Sequence, residues 1–231
     1  MAPDLARIEA ALAAAGLTPR GAFHPEADDG VPPLPGGAAA ATVVLAGNAG
    51  PGMWAAFAAA RTQPGGANPL DEWTHRVLEG VAADLGACAL FPFGGPPYLP
   101  FQRWAMRAET VWPSPIGPLI HPEYGLWHAY RGALAFAGRL ALPPREERPS
   151  PCDSCADKPC LTTCPVDALS ESGYDVPACV AHISSPAGDD CLALSCRARR
   201  ACPVGRDYAY GPDQARFHMA AFVTARLREH K

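Results

Sequence analysis

Eight of the nine cysteines fall between residues 152 and 202, in two groups that each close with Cys-Pro. The first holds Cys152, Cys155, Cys160 and Cys164, followed by Pro165; the second holds Cys179, Cys191, Cys196 and Cys202, followed by Pro203. A segment this dense in thiols must either bridge them or wrap them around metal, and both options leave little freedom for any other fold. Two sets of four thiols, each closed by a proline, match the ligand inventory of two [4Fe–4S] clusters.

In two-cluster ferredoxins the cysteine before the proline ligates the other cluster. That interleaving assigns Cys152, Cys155, Cys160 and Cys202 to one cluster and Cys164, Cys179, Cys191 and Cys196 to the second. The spacing departs from the common CxxCxxCxxxCP pattern: extra residues precede Cys160, and the second group reads CxxxxCxxxxxCP. Two Cys₄ zinc sites and a set of disulfides are the alternatives, and Cys-Pro closure of both groups fits paired zinc knuckles poorly.

The rest of the composition narrows the setting. A net charge of −4 and a pI near 6.0 give no basic footprint, which weighs against nucleic acid as the main partner. Arg197, Arg199, Arg200 and Arg206 are a local exception, read as a solvated face beside the cysteines or as a docking patch. The N-terminus lacks the basic start and apolar block of a signal peptide, and no apolar run reaches the ~18 residues of a membrane span. The expectation is a cytoplasmic protein without a membrane partner. In that reducing compartment clustered thiols are metal ligands more often than disulfides.

Hydrophobic periodicity predicts a helix over 3–15, with Leu5, Ile8, Leu12 and Ala15 on one side and Gly16 as its stop. A Pro/Gly-rich loop should follow from Thr18 to about Gly37, then a buried strand at 41–47 and a helix from Pro51 through Arg61. The helix at 69–85 carries the clearest signals: Asn68 as cap, Pro69 in the first turn, Asp71 and Glu72 at the positive end of the dipole. Its expected apolar stripe is Trp73, Val77, Val81 and Leu85. A strand at 87–93 contains the ninth cysteine, Cys88, a small buried hydrophobe. A helical piece near 100–109, a strand at 126–136, a linker at 143–149 and a helix from Pro212 to Arg228 complete the order. The fold class is α+β or α/β: a layered domain over 1–148, then a two-cluster module over 149–231.

One run upstream of the cysteines resembles a known family. Ile116, Gly117, Leu119, Ile120, Pro122, Tyr124, Gly125 and Trp127, followed by a strand and two four-cysteine groups, are similar to the segment leading into the clusters of epoxyqueuosine reductase. The resemblance covers roughly residues 100–205. It implies a nitroreductase-like, cobalamin-binding α/β domain followed by a bacterial-ferredoxin-like module. It also implies a cobalamin beside the proximal cluster, with electrons passing from cluster to cluster to cobalt. The stretch before the Ile-Gly pair has no acidic residue in the place of the family's proton donor, Pro118 stands where a lysine is usual, and the helical repeats that hold tRNA are not in this sequence. A tRNA substrate is therefore not expected.

The residues expected at the cofactor are Gly117, His121, Tyr124, Trp127 and His128, with Glu109 the nearest carboxylate that could donate a proton. Arg103 and Arg107 are read as a solvated helix face or as partners for a phosphate or amide group. Expected partners are an electron-donor protein (flavodoxin, ferredoxin or reductase) and a corrinoid or small substrate. A ferredoxin-like carrier without a corrinoid and a flavin-binding reductase are the competing functions.

Overall fold

The structure is a computed structural model that describes residues 3–61, 66–170 and 172–229. In chain order its main elements are α1 (Leu5–Ala14), β1 (Thr18–Phe23), β2 (Thr42–Ala49), α2 (Gly52–Ala60), α3 (Pro69–Leu85), β3 (Cys88–Leu90), α4 (Phe101–Ala108), β4 (Trp112–Pro113), β5 (Leu119–Ile120) and β6 (His128–Phe136). The cysteine-rich region follows with α5 (Pro159–Thr162), β7 (Leu169–Ser170), β8 (Gly173–Tyr174), α6 (Val176–Ile183), α7 (Asp189–Leu194), α8 (Arg197–Ala201) and α9 (Pro212–Glu229). No helix among the described residues is long and apolar enough to cross a membrane.

The chain divides into two compact units. One comprises residues 1–110 and 128–148; the other comprises 111–127 and 149–231. One junction falls after residue 148, and 111–127 groups with the cysteine-rich segment.

The first unit is built on a four-stranded sheet in the order β1-β2-β6-β3, antiparallel throughout. It is therefore α+β, without the parallel sheet of an α/β domain. β2 is buried at successive residues from Thr42 to Gly47, as is β6 from Gly132 to Phe136, so both faces of the central pair are covered. α1, α2 and α3 pack on one another and on the sheet, and α4 packs on β1 and β2. Their contact surfaces supply Ile8, Leu12, Phe57, Trp73, Leu78 and Trp104 to the core.

Three sequence expectations differ from the structure. Residues 18–23, expected in a loop, form edge strand β1; Pro19 and Gly21 disguise it, and its register slips between Pro19 and Ala22. The α3 stripe runs through Leu70, Trp73, Thr74, Leu78, Val81, Ala82 and Leu85, so Leu78 takes the place expected of Val77. Asn68 precedes α3 without a capping hydrogen bond from its side chain; Pro69 and the left-handed Gly86 mark the two ends as expected.

The second unit has shorter elements. β4 and β5 form a small hairpin, and β7 and β8 another. Asp175 caps α6 by accepting from the Ala178 N–H at 2.9 Å. α9 packs along α6 and α7, and α5 packs on α8.

Candidate metal centre

All nine cysteines are free thiols. Cys152 and Cys155 lie in the turns before α5, Cys160 on α5 and Cys164 just after it; Cys179 is on α6, Cys191 on α7, Cys196 caps the start of α8, and Cys202 caps its end. Pro159 and Pro177 sit in the first turns of α5 and α6, where a proline's missing N–H costs nothing.

Electrostatics groups the thiols. Burial pushes the Cys152 thiol up, the Ser150 hydroxyl opposes that, and Cys202 and Cys155 add to it. Burial likewise raises Cys160, followed by Cys202, Cys152 and Cys155. Cys202 is raised by burial and by Cys155, against a hydrogen bond from the Val204 N–H. In the second unit's other set, burial raises Cys179, a hydrogen bond with the Tyr174 hydroxyl opposes it, and Cys196, Cys164 and Cys191 add to the rise. Cys191 is raised by burial and, further down, by Asp190 and Cys196, while the Arg197 N–H pulls it down. The thiols thus act on one another within the sets 152/155/160/202 and 164/179/191/196. The Ala168 N–H donates to the Cys164 sulfur at 3.3 Å. Among the described residues, no three His, Cys, Asp or Glu side chains converge on the position of a single ion.

The arginines beside the cysteines are internally engaged. Arg197 and Arg200 both pair with Asp190, at 2.8 and 2.6 Å. Arg199 donates from Nε to the Leu126 carbonyl at 3.0 Å and lies over the rings of Trp127 and Tyr210. Arg197 and Arg200 still keep 38% and 33% of their side chains exposed.

Of the residues expected at a cofactor, four fold with the cysteines. Gly117, at φ +101, makes the exposed turn of the β4–β5 hairpin. His121 Nδ1 accepts from the Glu123 and Tyr124 backbone N–H groups at 3.0 and 3.1 Å, and its ring stacks on Tyr124 at 4.2 Å. Trp127 is buried edge-on to Tyr210. His128 belongs to the other unit, where Arg20 donates to its Nδ1 at 3.0 Å, so Nδ1 is the unprotonated nitrogen.

That contact is part of a buried polar group the sequence did not announce. Arg20 is fully buried and pairs with Glu109 at 2.5 Å, donates to the Asn48 carbonyl at 2.8 Å, and lies over the Tyr130 ring. The Tyr130 hydroxyl donates to Glu109 in a short bond. Burial, then the Glu109 charge, push the Tyr130 phenol well above its ordinary range. Arg107 on α4 pairs with Glu26 and Asp29 while 37% of its side chain stays exposed, in keeping with a solvated helix face. An open groove of about 440 Å³ between the α6–α7 segment and α9, lined by Ile183, Pro186, Leu192 and Val223, contains none of the expected cofactor residues.

No family model and no curated protein matches the chain. A crystal structure of epoxyqueuosine reductase with a tRNA-Tyr epoxyqueuosine-modified stem loop is similar, with a TM-score of 0.45 and 15% identity over 77% of this chain. The match covers 52% of that protein, so this chain spans about half its length.

Proposed function

We infer that this chain is an iron–sulfur redox protein, in which Cys152, Cys155, Cys160 and Cys202 hold one [4Fe–4S] cluster and Cys164, Cys179, Cys191 and Cys196 hold a second. What carries this reading is the pattern of eight cysteines in two groups closed by Cys-Pro, whose electrostatic influence on one another falls into two sets of four. Soft thiolate ligands suit iron–sulfur clusters, zinc or Cu(I). A single ion needs its ligands drawn to one point, whereas the separated corner irons of a cubane accept thiolates held further apart. Burial and neighbouring charge disfavour Cys152, Cys160, Cys179, Cys191 and Cys202 as free thiolates, and a cationic body among them would reverse both effects. When bound, such clusters supply one-electron transfer. The chain's own part is to hold the thiolates, shield them from water, and direct N–H groups such as that of Ala168 at their sulfurs.

The acceptor we propose is a corrinoid, supported by the Ile116–Trp127 run; the donor is a flavodoxin, ferredoxin or reductase. Val166, Tyr174 and Leu194 are 38%, 42% and 43% exposed, and each lies near a cysteine of the second set in sequence. They offer the small apolar rim that a transient redox encounter uses.

Anaerobic purification with iron and sulfide analysis tests the reading, with about eight irons per chain expected for two cubanes. Incubation with excess hydroxocobalamin followed by gel filtration tests the acceptor. Co-eluting corrinoid with a shifted visible spectrum supports it, its absence leaves an electron carrier, and FMN released on denaturation indicates a flavin reductase.

A further inference from the structure

We propose that the turn from His121 to Gly125 is the positioning element for Cys202, and through it for the whole first thiol set; this rests on the iron–sulfur reading above. Cys152, Cys155 and Cys160 are close in sequence and can be arranged by local turns. Cys202 comes from the far end of α8, and something outside that stretch must fix it.

The turn is braced for the purpose. His121 and Gly125 exchange two backbone hydrogen bonds of 2.9 Å, and the His121 ring accepts from the backbone between them. Tyr124 stacks on His121 and meets the edge of Tyr208, whose hydroxyl donates to Glu123. Against this frame lies the backbone that follows Cys202. Gly125, at φ +55, leaves no room for a β-carbon before the Val204 carbonyl, and Gly205, at φ +73, leaves none before the Tyr124 backbone. Two glycines are thus pressed against each other's segments, and Val204 is two residues from the cysteine. On either side of the turn, Ile120 and Leu126 share one buried core with Cys202, and Cys152, Val204, Trp112 and Ile116 pack onto it. The same short segment therefore sets the position of one thiol and forms the apolar wall of two.

The test compares Gly125→Ala with Gly86→Ala in otherwise identical anaerobic preparations. Both place a side chain at positive φ, +55 and +67, but Gly86 has open space around it. Gly125→Ala is expected to lose about half of the roughly eight irons of a two-cubane protein, and its reduced EPR spectrum should simplify to one cluster free of magnetic coupling. Gly86→Ala should keep both clusters. Should Gly125→Ala fail to fold, Ile120→Ala gives the second reading: by admitting water to the wall it should shift one cluster's potential upward and leave the other unchanged. Full iron with both wild-type potentials in either variant, or equal loss in Gly86→Ala, overturns the proposal. A wild-type chain without cubanes is a separate result: it removes the proposed function, and this inference with it.

Discussion

Arg20 is the residue whose environment the sequence least foretold. It sits between Pro19 and Gly21, a triplet that reads as loop, yet its guanidinium is fully buried against Glu109, Tyr130, His128 and the Asn48 carbonyl. Burial of an arginine becomes visible only when its partners are known, and these lie 28 to 110 residues away. Removing one partner of such a pair leaves an uncompensated charge, at a cost of about 3–5 kcal/mol. Arg20→Ala should therefore lower the unfolding free energy read from urea melts by that amount, and a loss under about 1 kcal/mol would mean that Glu109 is well solvated without it. Tyr130 gives a pH test. Its phenol is raised, so the folded state favours the neutral form. The associated stability is whole below the ordinary tyrosine pKa of about 10 and declines as pH rises past it. Tyr130→Phe should flatten part of the alkaline decline in stability; an unchanged profile would assign the decline to other groups.

At the scale of elements, legibility followed periodicity and punctuation. α1, α3 and β2 were readable because apolar spacing coincided with Gly and Pro boundaries, as at Pro69 and Gly86. α2 and α9 were legible mainly from Pro51 and Pro212 at their starts, and Ala221, Thr224 and Leu227, expected on the apolar side of α9, are exposed. β1 was not, since an edge strand needs no alternation to be held by its neighbour. β6 begins at His128, two residues later than expected, because Leu126 and Trp127 fold with the thiols. The cysteine groups were legible as groups, and the structure adds the segment that buttresses them. Sheet glycines offer a comparison at this scale. A β-carbon on Gly47 would meet the Ala129 backbone carbonyl, whereas one on Gly132 would first meet the flexible end of Leu78. Gly47→Ala should cost about 1–3 kcal/mol through overpacking and Gly132→Ala distinctly less, as read from thermal melts; the reverse order would show that the β2–β6 pair yields more easily than its core.

For the whole molecule, the two units should depend unequally on metal. α5 to α8 span four to eight residues each, too short to persist without tertiary support. The four-stranded sheet has a continuous apolar core of its own. Stripping iron with a chelator under reducing conditions should abolish one thermal transition and spare another, because binding energy at thiolate sites is folding energy. A single, unshifted transition after complete iron removal would contradict that.

The polypeptide passes from one unit to the other at 110–111, 127–128 and 148–149. A graft severed after Arg148 would look natural on paper, since a proline-bracketed stretch ends there and all eight grouped cysteines lie beyond it. Such a transplant would leave behind the buttress contributed by Ile120 and Leu126. The cysteine region is therefore not a detachable cassette: to travel with the packing around Cys202 and Cys152 intact, it must carry the strip at 111–127 along with it.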